Sequence, residues 1–154
     1  MPLKIVVQSE PFDPWLELSK YQKSVDSGRF GAMVTFVGTL RDFNNDEQVY
    51  AMHLEHYPGM TEHYLEKICI EATENWGINN ILLIHRYGHL EPGESIVLVA
   101  VWSEHRAAAF DACRFIINDL KYRASFWKQE QTKNGNRWVE KNTVDSSAAI
   151  KIPR

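Results

Sequence analysis

The chain has 154 residues, of which 17 are lysine or arginine and 20 are aspartate or glutamate, giving a formal net charge of −3. This length predicts one domain over residues 1–154, large enough to bury a core without metal or disulfide staples. The absence of a basic run argues against a nucleic-acid partner, and the longest uncharged apolar run, Ser95 to Ser103, is too short to span a membrane.

Hydrophobic periodicity predicts alternating strands and helices in the first half. The predicted strands are Leu3 to Gln8, Arg29 to Leu40 and Val49 to Tyr57. A helix is predicted over Asp13 to Val25, with Asp13 as its N-cap and Pro14 at its first position. A longer helix is expected to end at Gly77. Its apolar stripe consists of Met60, Tyr64, Leu65, Ile68, Ala72 and Trp76.

The second half of the sequence is predicted to form two buried strands, a helix and a hairpin. The segments INNILLIHRYG and ESIVLVAVWSE are the strands, joined by a turn at Pro92-Gly93. The helix covers His105 to Ala124, and the hairpin turns at Asn134-Gly135. The apolar stripe of this helix is Phe110, Cys113, Ile117, Leu120 and Ala124. The order predicts an α+β domain with a mixed, mostly antiparallel sheet.

Cationic side chains stand at two element ends. Ser103 is the expected N-cap of the last helix, which puts His105 and Arg106 in its first turn, where backbone N–H groups favour an anion. Arg41 follows a strand and is suited to a phosphate. These patterns alone equally fit solvated side chains or surface ion pairs.

The segment KYRASFWKQE places Lys121 at the edge of the buried helix stripe and Lys128 on the following strand. On that strand Phe126, Lys128 and Glu130 share one side. Two lysines that converge on a partly apolar site would lower each other's pKa, making a neutral amine available as base or nucleophile. Glu130 is expected to keep Lys128 charged, leaving Lys121 the more easily deprotonated. Two ordinary lysines with exposed ammonium groups are the alternative.

Metal and thiol chemistry are not expected. Cys69 and Cys113 lie in helical patterns and are predicted to be buried, while His53 and His56 fall on opposite faces of one strand. No metal and no cofactor are predicted. The absence of a signal-peptide pattern predicts a cytoplasmic protein.

Five motifs, TFVGTLRD, LEHYPGMTE, IHRYGHLEPGE, SEHRAAAF and LKYRASFWKQE, resemble the large catalytic subunit family of molybdopterin synthase. The resemblance covers about Ala32 to Glu140. It implies an α/β-hammerhead-like fold and a homodimer at the core of a heterotetramer. The implied partner is a small ubiquitin-like sulfur carrier with a C-terminal thiocarboxylate. The implied substrate is cyclic pyranopterin monophosphate, which receives two sulfurs to form the molybdopterin dithiolene.

The resemblance also implies roles for individual residues. Lys121 and Lys128 match the catalytic pair. The implied substrate-binding residues are Thr39, Leu40, Arg41, His105, Arg106, Lys121, Lys128, Gln129 and Glu130. Two positions depart from the family pattern: Ser125 stands where many relatives have proline, and Thr39 where some have lysine.

Two other functions remain open from the residues. A non-catalytic adaptor would bind a ubiquitin-like partner without needing the lysines. A phosphate-ester or nucleotide-binding enzyme would use the cationic residues, although the sequence has no phosphate-binding loop.

Overall fold

The computed structural model describes residues 3–123 and 126–139. Ala124 and Ser125, a predicted stripe residue and a departure from the family pattern, lie outside the described residues. Three helices are present: α1 (Pro14–Gln22), α2 (Met60–Trp76) and α3 (Arg106–Arg123). The strands are β1 (Leu3–Gln8), β2 (Ala32–Thr39), β3 (Phe43–Asn44), β4 (Glu47–His56), β5 (Asn80–Arg86), β6 (Gly88–Leu90), β7 (Ser95–Ser103), β8 (Phe126–Thr132) and β9 (Gly135–Trp138).

The first sheet has the order β1-β5-β7-β2, with β1 and β5 parallel and the other pairs antiparallel. Its central strands are apolar on both faces because helices cover both sides. Side chains of one parity, such as Leu83 and Val99, pack with α2 and α3. Those of the other parity, such as Leu82 and Trp102, pack with Leu18 of α1. The predicted α+β class with a mixed, mostly antiparallel sheet is therefore confirmed.

The second sheet places β4 at its centre. Strands β3, β6 and β8 each pair with β4, and β9 pairs with β8 as the predicted C-terminal hairpin. A small third cluster of buried side chains, with partly buried Ile96 and Phe126 against it, lies beneath this sheet. Its buried members are Leu40, Met52, Leu54 and Leu90. Since Leu40 follows β2 of the first sheet, this cluster joins the two sheets.

Local signals fix several element ends. The Asp13 carboxylate accepts hydrogen bonds from the backbone N–H groups of Trp15 and Leu16, as expected of an N-cap. Gly77 ends α2 in the left-handed region at φ 62°. Helix α1 ends at Gln22, three residues before the predicted Val25.

Four details of the sequence prediction are wrong. Ser103 belongs to β7 and does not cap α3, which begins only at Arg106. Phe110 and Met60, assigned to buried stripes, are 61% and 52% exposed. Thr132 pairs with Gly135, so Lys133 and Asn134 form the hairpin turn, one residue earlier than predicted. In α3, Cys113, Ile117 and Leu120 are buried as predicted, and Ala109, Ala112 and Ile116 are buried in place of Phe110.

Along the described ranges, 3–123 and 126–139, no helix is long and apolar enough to cross a membrane.

Candidate active site

A cavity of about 180 Å³ opens where the two sheets meet the C-terminal end of α3. Its apolar wall includes Phe36, Leu40, Met52, Ile96, Val97, Leu120 and Phe126. Its polar side chains are Thr39, Arg41, Asn44, His85, Lys121, Lys128 and Glu130. Most of the polar residues come from strand ends, where backbone pairing stops and side chains can turn toward a ligand.

Lys121 and Lys128 line this cavity from two elements, near the end of α3 and in the middle of β8. Burial is the largest cause that lowers the pKa of Lys128, and the positive charge of Lys121 is the second. The two amines are therefore close enough to influence each other. A lowered pKa increases the fraction of Lys128 that is a neutral amine at a given pH.

Glu130 favours the charged form of Lys128, as expected, but its effect does not decide the net shift, which lowers the pKa of Lys128. Its carboxylate is buried, and Oε1 accepts hydrogen bonds from Asn44 Nδ2 at 3.0 Å and Arg137 Nε at 3.3 Å. Its effect on the pKa of Lys128 is smaller than those of burial and Lys121. Arg137 also donates to the Asn44 carbonyl oxygen at 2.9 Å, which ties β9 to β3 beside the cavity.

Strand β2 brings its terminal residues to the cavity through a bulge between Gly38 and Thr39. Gly38 is required by close packing, because a Cβ there would lie 2.8 Å from Val97 Cγ1. Beyond the strand, Arg41 lies over the ring of Phe43, with its guanidinium carbon 5.2 Å from the ring centroid. Arg41 is exposed and lines the cavity mouth, where its guanidinium can bind an anionic group of a ligand.

His105 and Arg106 lie elsewhere. They line a separate depression with Gly31, Glu104 and Ala107. Arg106 begins α3 and Lys121 lies 15 residues further along it, a distance of about 22 Å along the helix axis. Within one chain, therefore, His105 and Arg106 do not line the cavity that holds the two lysines.

Gln129 is also placed away from the cavity. On β8, Phe126, Lys128 and Glu130 line the cavity, whereas Trp127 is 41% exposed and Gln129 shares its side of the strand. Gln129 pairs with His53 of β4 and Trp138 of β9 on the outer part of this sheet.

His85 lines the cavity, although the sequence predicts no role for it. It is 4% exposed, and its ring stacks on Phe126 with centroids 3.8 Å apart. Burial is the largest cause that lowers the pKa of His85, to about 3, so the ring is neutral over the physiological range. The sequence feature that marks His85 is its position directly after the apolar run ILLI, where a polar side chain is unexpected.

The cysteines offer no sulfur chemistry at this site. Both are buried between α2, α3 and the first sheet, as predicted. Burial raises the pKa of both thiols to about 12, which leaves almost no thiolate near neutral pH. In residues 3–123 and 126–139, no group of three His, Cys, Asp or Glu side chains is arranged to hold a metal ion.

Comparison with known proteins places these features in a family. The family model described as MoaE protein matches residues 7–123. The molybdopterin synthase catalytic subunit of Pseudomonas aeruginosa is 50% identical over 147 residues, covering 96% of this chain and 97% of that protein. A solved structure of the molybdopterin biosynthesis MoaE protein from Burkholderia ambifaria is 41% identical, with a TM-score of 0.77 over 96% of this chain and 95% of that one. A protein–protein complex of subunits 1 and 2 of the molybdopterin-converting factor from Helicobacter pylori contains a chain that is 25% identical, with a TM-score of 0.72 and coverage of 90% on both sides.

Proposed function

Because the chain belongs to the MoaE protein family of molybdopterin synthase catalytic subunits, we propose that its cavity binds cyclic pyranopterin monophosphate and directs two sulfur transfers to it. The sulfur comes from the C-terminal thiocarboxylate of a small carrier subunit. Each transfer makes a carbon–sulfur bond on the pterin side chain and breaks the acyl carbon–sulfur bond of the carrier, whose C-terminus is released by water as a carboxylate. The two sulfurs form the dithiolene of molybdopterin. The enzyme acts in molybdenum cofactor biosynthesis.

The observation that best supports this proposal is the convergence of Lys121 and Lys128 on one partly apolar cavity. Sulfur attack on a carbon centre requires proton transfer and stabilisation of developing negative charge. A lysine with a lowered pKa gives up its proton more readily than an ordinary lysine, while a neighbouring ammonium can stabilise an oxyanion. We assign these two tasks to the lysine pair. Lys128 is the better candidate for proton transfer, because its pKa is lowered.

Lys121 is then the candidate for charge stabilisation as an ammonium. Attack on the acyl carbon of the carrier would require Lys121 first to give its proton to Lys128. This reverses the division of roles expected from sequence, in which Glu130 was to keep Lys128 charged. The reversal rests on the engagement of the Glu130 carboxylate by Asn44 and Arg137.

The substrate phosphate needs cationic partners. Arg41 at the cavity mouth is one, supported by Thr39 and the backbone at Leu40. His105 and Arg106 can join them only from another chain, since about 22 Å of helix separates Arg106 from Lys121 in the same chain. We therefore propose a homodimer in which one protomer's His105 and Arg106 complete its partner's cavity.

The carrier is proposed to be a small ubiquitin-like subunit. The Helicobacter pylori relative is solved as a complex of subunits 1 and 2 of its converting factor. Two carriers on a homodimer would make the heterotetramer, with each thiocarboxylate tail entering one cavity.

The proposed function is tested by incubating the protein with thiocarboxylated carrier and cyclic pyranopterin monophosphate and measuring the dithiolene product. Wild type should form it, and Lys121→Ala and Lys128→Ala should abolish it while still binding the carrier. A stable carrier complex that never turns over would instead identify an adaptor.

A further inference from the structure

His85 contributes a polar atom to the cavity that the proposed lysine chemistry does not use. The residue is the second-to-last of β5, where its side chain continues the parity of Ile81 and Leu83 toward the α3 side of the sheet. Its ring is held on one face by Phe126, with an interplanar angle of 16°. The ring is therefore fixed in position and orientation before any ligand arrives.

The hydrogen bonding of His85 determines its tautomer. Nδ1 lies 2.8 Å from the backbone carbonyl oxygen of Arg86. A carbonyl oxygen can only accept, so Nδ1 carries the hydrogen and Nε2 carries a lone pair. Within residues 3–123 and 126–139, Nε2 makes no hydrogen bond. Burial and the charges of Lys128 and His56 lower the pKa of His85 to about 3 and keep this tautomer neutral.

The other polar groups of the cavity make an acceptor valuable. Arg41 is a donor only, and any lysine in its ammonium form is also a donor only. Glu130, Thr39 and Asn44 also carry acceptor oxygens, of which Glu130 Oε1 is already engaged by Asn44 and Arg137. A reduced pterin presents several ring N–H and amino donors, which lose free energy if they are buried without an acceptor.

We propose that His85 Nε2 is a pre-positioned acceptor for an N–H group of the pterin ring, making His85 a residue that orients and selects the heterocycle. The proposal rests on the proposed function, since it names the same substrate in the same cavity. It assigns the phosphate to the cationic mouth and the ring to the buried end, where Phe126 and His85 lie. His85 takes no proton, because a neutral imidazole with so low a pKa is a poor base.

Two substitutions separate the two ring nitrogens. The amide of His85→Gln can reach the position of Nε2 and offer an oxygen acceptor there. The shorter amide of His85→Asn can replace Nδ1 beside the Arg86 carbonyl but leaves no group at Nε2. The matched control is His89→Asn on β6, whose side chain is exposed and outside the cavity.

The experiment measures calorimetric binding of cyclic pyranopterin monophosphate to each full-length variant without carrier, together with KM and kcat of sulfur transfer. His85→Asn should raise Kd and KM about tenfold, the loss expected of one hydrogen bond of about 1.4 kcal/mol. His85→Gln should stay within about threefold of wild type, and His89→Asn should match it. Carrier affinity and the melting temperature are measured on the same samples.

The outcomes distinguish the two proposals. If wild type binds and turns over the pterin but the Asn and Gln variants have equal Kd values, the role of Nε2 is wrong and the proposed function stands. If His85→Asn lowers only the melting temperature, His85 is structural. If wild type neither binds nor converts the pterin, the proposed function fails and the role of His85 fails with it.

Discussion

Lys128 shows how the surroundings of one residue set its chemistry. Its pKa is lowered first by burial and second by the positive charge of Lys121, and only in part restored by Glu130. The sequence showed that a carboxylate lies two positions away on the same strand face. It could not show that Asn44 and Arg137, 86 and 7 residues distant from Glu130, bind that carboxylate.

We predict that Lys121→Met raises the pKa of Lys128, because the substitution removes a neighbouring positive charge and keeps most of the apolar volume. The pKa should remain below 10.5, since burial still opposes the charged form. A ¹³C NMR titration of the Lys128 Cε resonance measures it. Lys133→Met, on the exposed hairpin turn, is the control. An unchanged pKa in Lys121→Met would show that the two amines do not interact.

His85 should make stability fall steeply in mild acid. Its folded pKa of about 3 lies below the 6.5 of an unfolded histidine, so between these values the unfolded chain binds more protons. The free energy of unfolding therefore decreases as the pH falls through this window. From pH 6.5 to 4 this one group should cost about 3 kcal/mol.

We predict that His85→Gln removes this loss, because glutamine does not titrate. Urea unfolding at pH 6.5 and pH 4 measures the difference for wild type, His85→Gln and His89→Gln. The wild type and the exposed-site control should lose stability in parallel, and His85→Gln should lose about 3 kcal/mol less. Equal losses in all three proteins would mean that His85 is protonated in the folded state.

At the scale of elements, Gly38 explains how β2 delivers its end to the cavity. The strand bulges after Gly38, and Val97 of the neighbouring β7 packs where a side chain would project. A Cβ at position 38 would also lie 3.2 Å from Phe36 Cε1, inside the same cavity wall. The chain thus gains close packing of two strands by omitting one side chain.

We predict that Gly38→Ala lowers the free energy of unfolding by about 1–3 kcal/mol, the usual cost of overpacking a core. Adding Val97→Ala should recover part of the loss, because it removes Cγ1 from the overlap and makes the two substitutions non-additive. Urea denaturation of both single variants and the double variant measures this coupling. Gly28→Ala is the matched control, since its Cβ would meet only Asp26 Oδ1 at 3.8 Å. Additive losses at 38 and 97 would contradict the proposed overlap.

Sequence patterns identified the long elements but not the short ones. Asp13 and Gly77 carry their own capping signals, so the start of α1 and the end of α2 were predictable. Strand β3 has two residues and lies where the sequence predicts no strand, because its existence depends on pairing with β4. The tight turn between them uses Asn45 and Asp46 at φ 51° and 62°, a conformation these residue types tolerate.

Site residues that lie on one strand could be predicted from their spacing in the sequence. The strand period put Lys128 and Glu130 on one side of β8, and both line the cavity. His85 was missed because its partner Phe126 lies 41 residues away in sequence, a relation that only the fold reveals. Arg137 was missed for the same reason, since its bonds to Asn44 and Glu130 join separate strands.

At the scale of the whole molecule, helix α3 separates the cationic groups at its N-terminal end from the lysines of the cavity. The helix presents Arg106 at one end and Lys121 near the other, about 22 Å apart. A phosphate and the reacting carbons of one small substrate cannot span that distance. A symmetric dimer resolves this separation if its two-fold axis brings the N-terminal end of one α3 toward the cavity of the other protomer.

We predict that two inactive variants restore activity when their chains share a dimer. Lys121→Ala removes the cavity amine of its own chain, and Arg106→Ala removes the cation that chain supplies to its partner. In a mixed dimer one site carries both defects and the other carries neither, so isolated mixed dimers should recover about half of wild-type turnover. Co-expression with two different affinity tags isolates the mixed dimers for a sulfur-transfer assay. The matched control is a mixed dimer of Lys121→Ala with Lys128→Ala, which should stay inactive because both residues line the cavity of the same chain. No recovery with Arg106→Ala would show that Arg106 does not act across the dimer. Recovery in the control would show that the two lysines do not serve the same cavity.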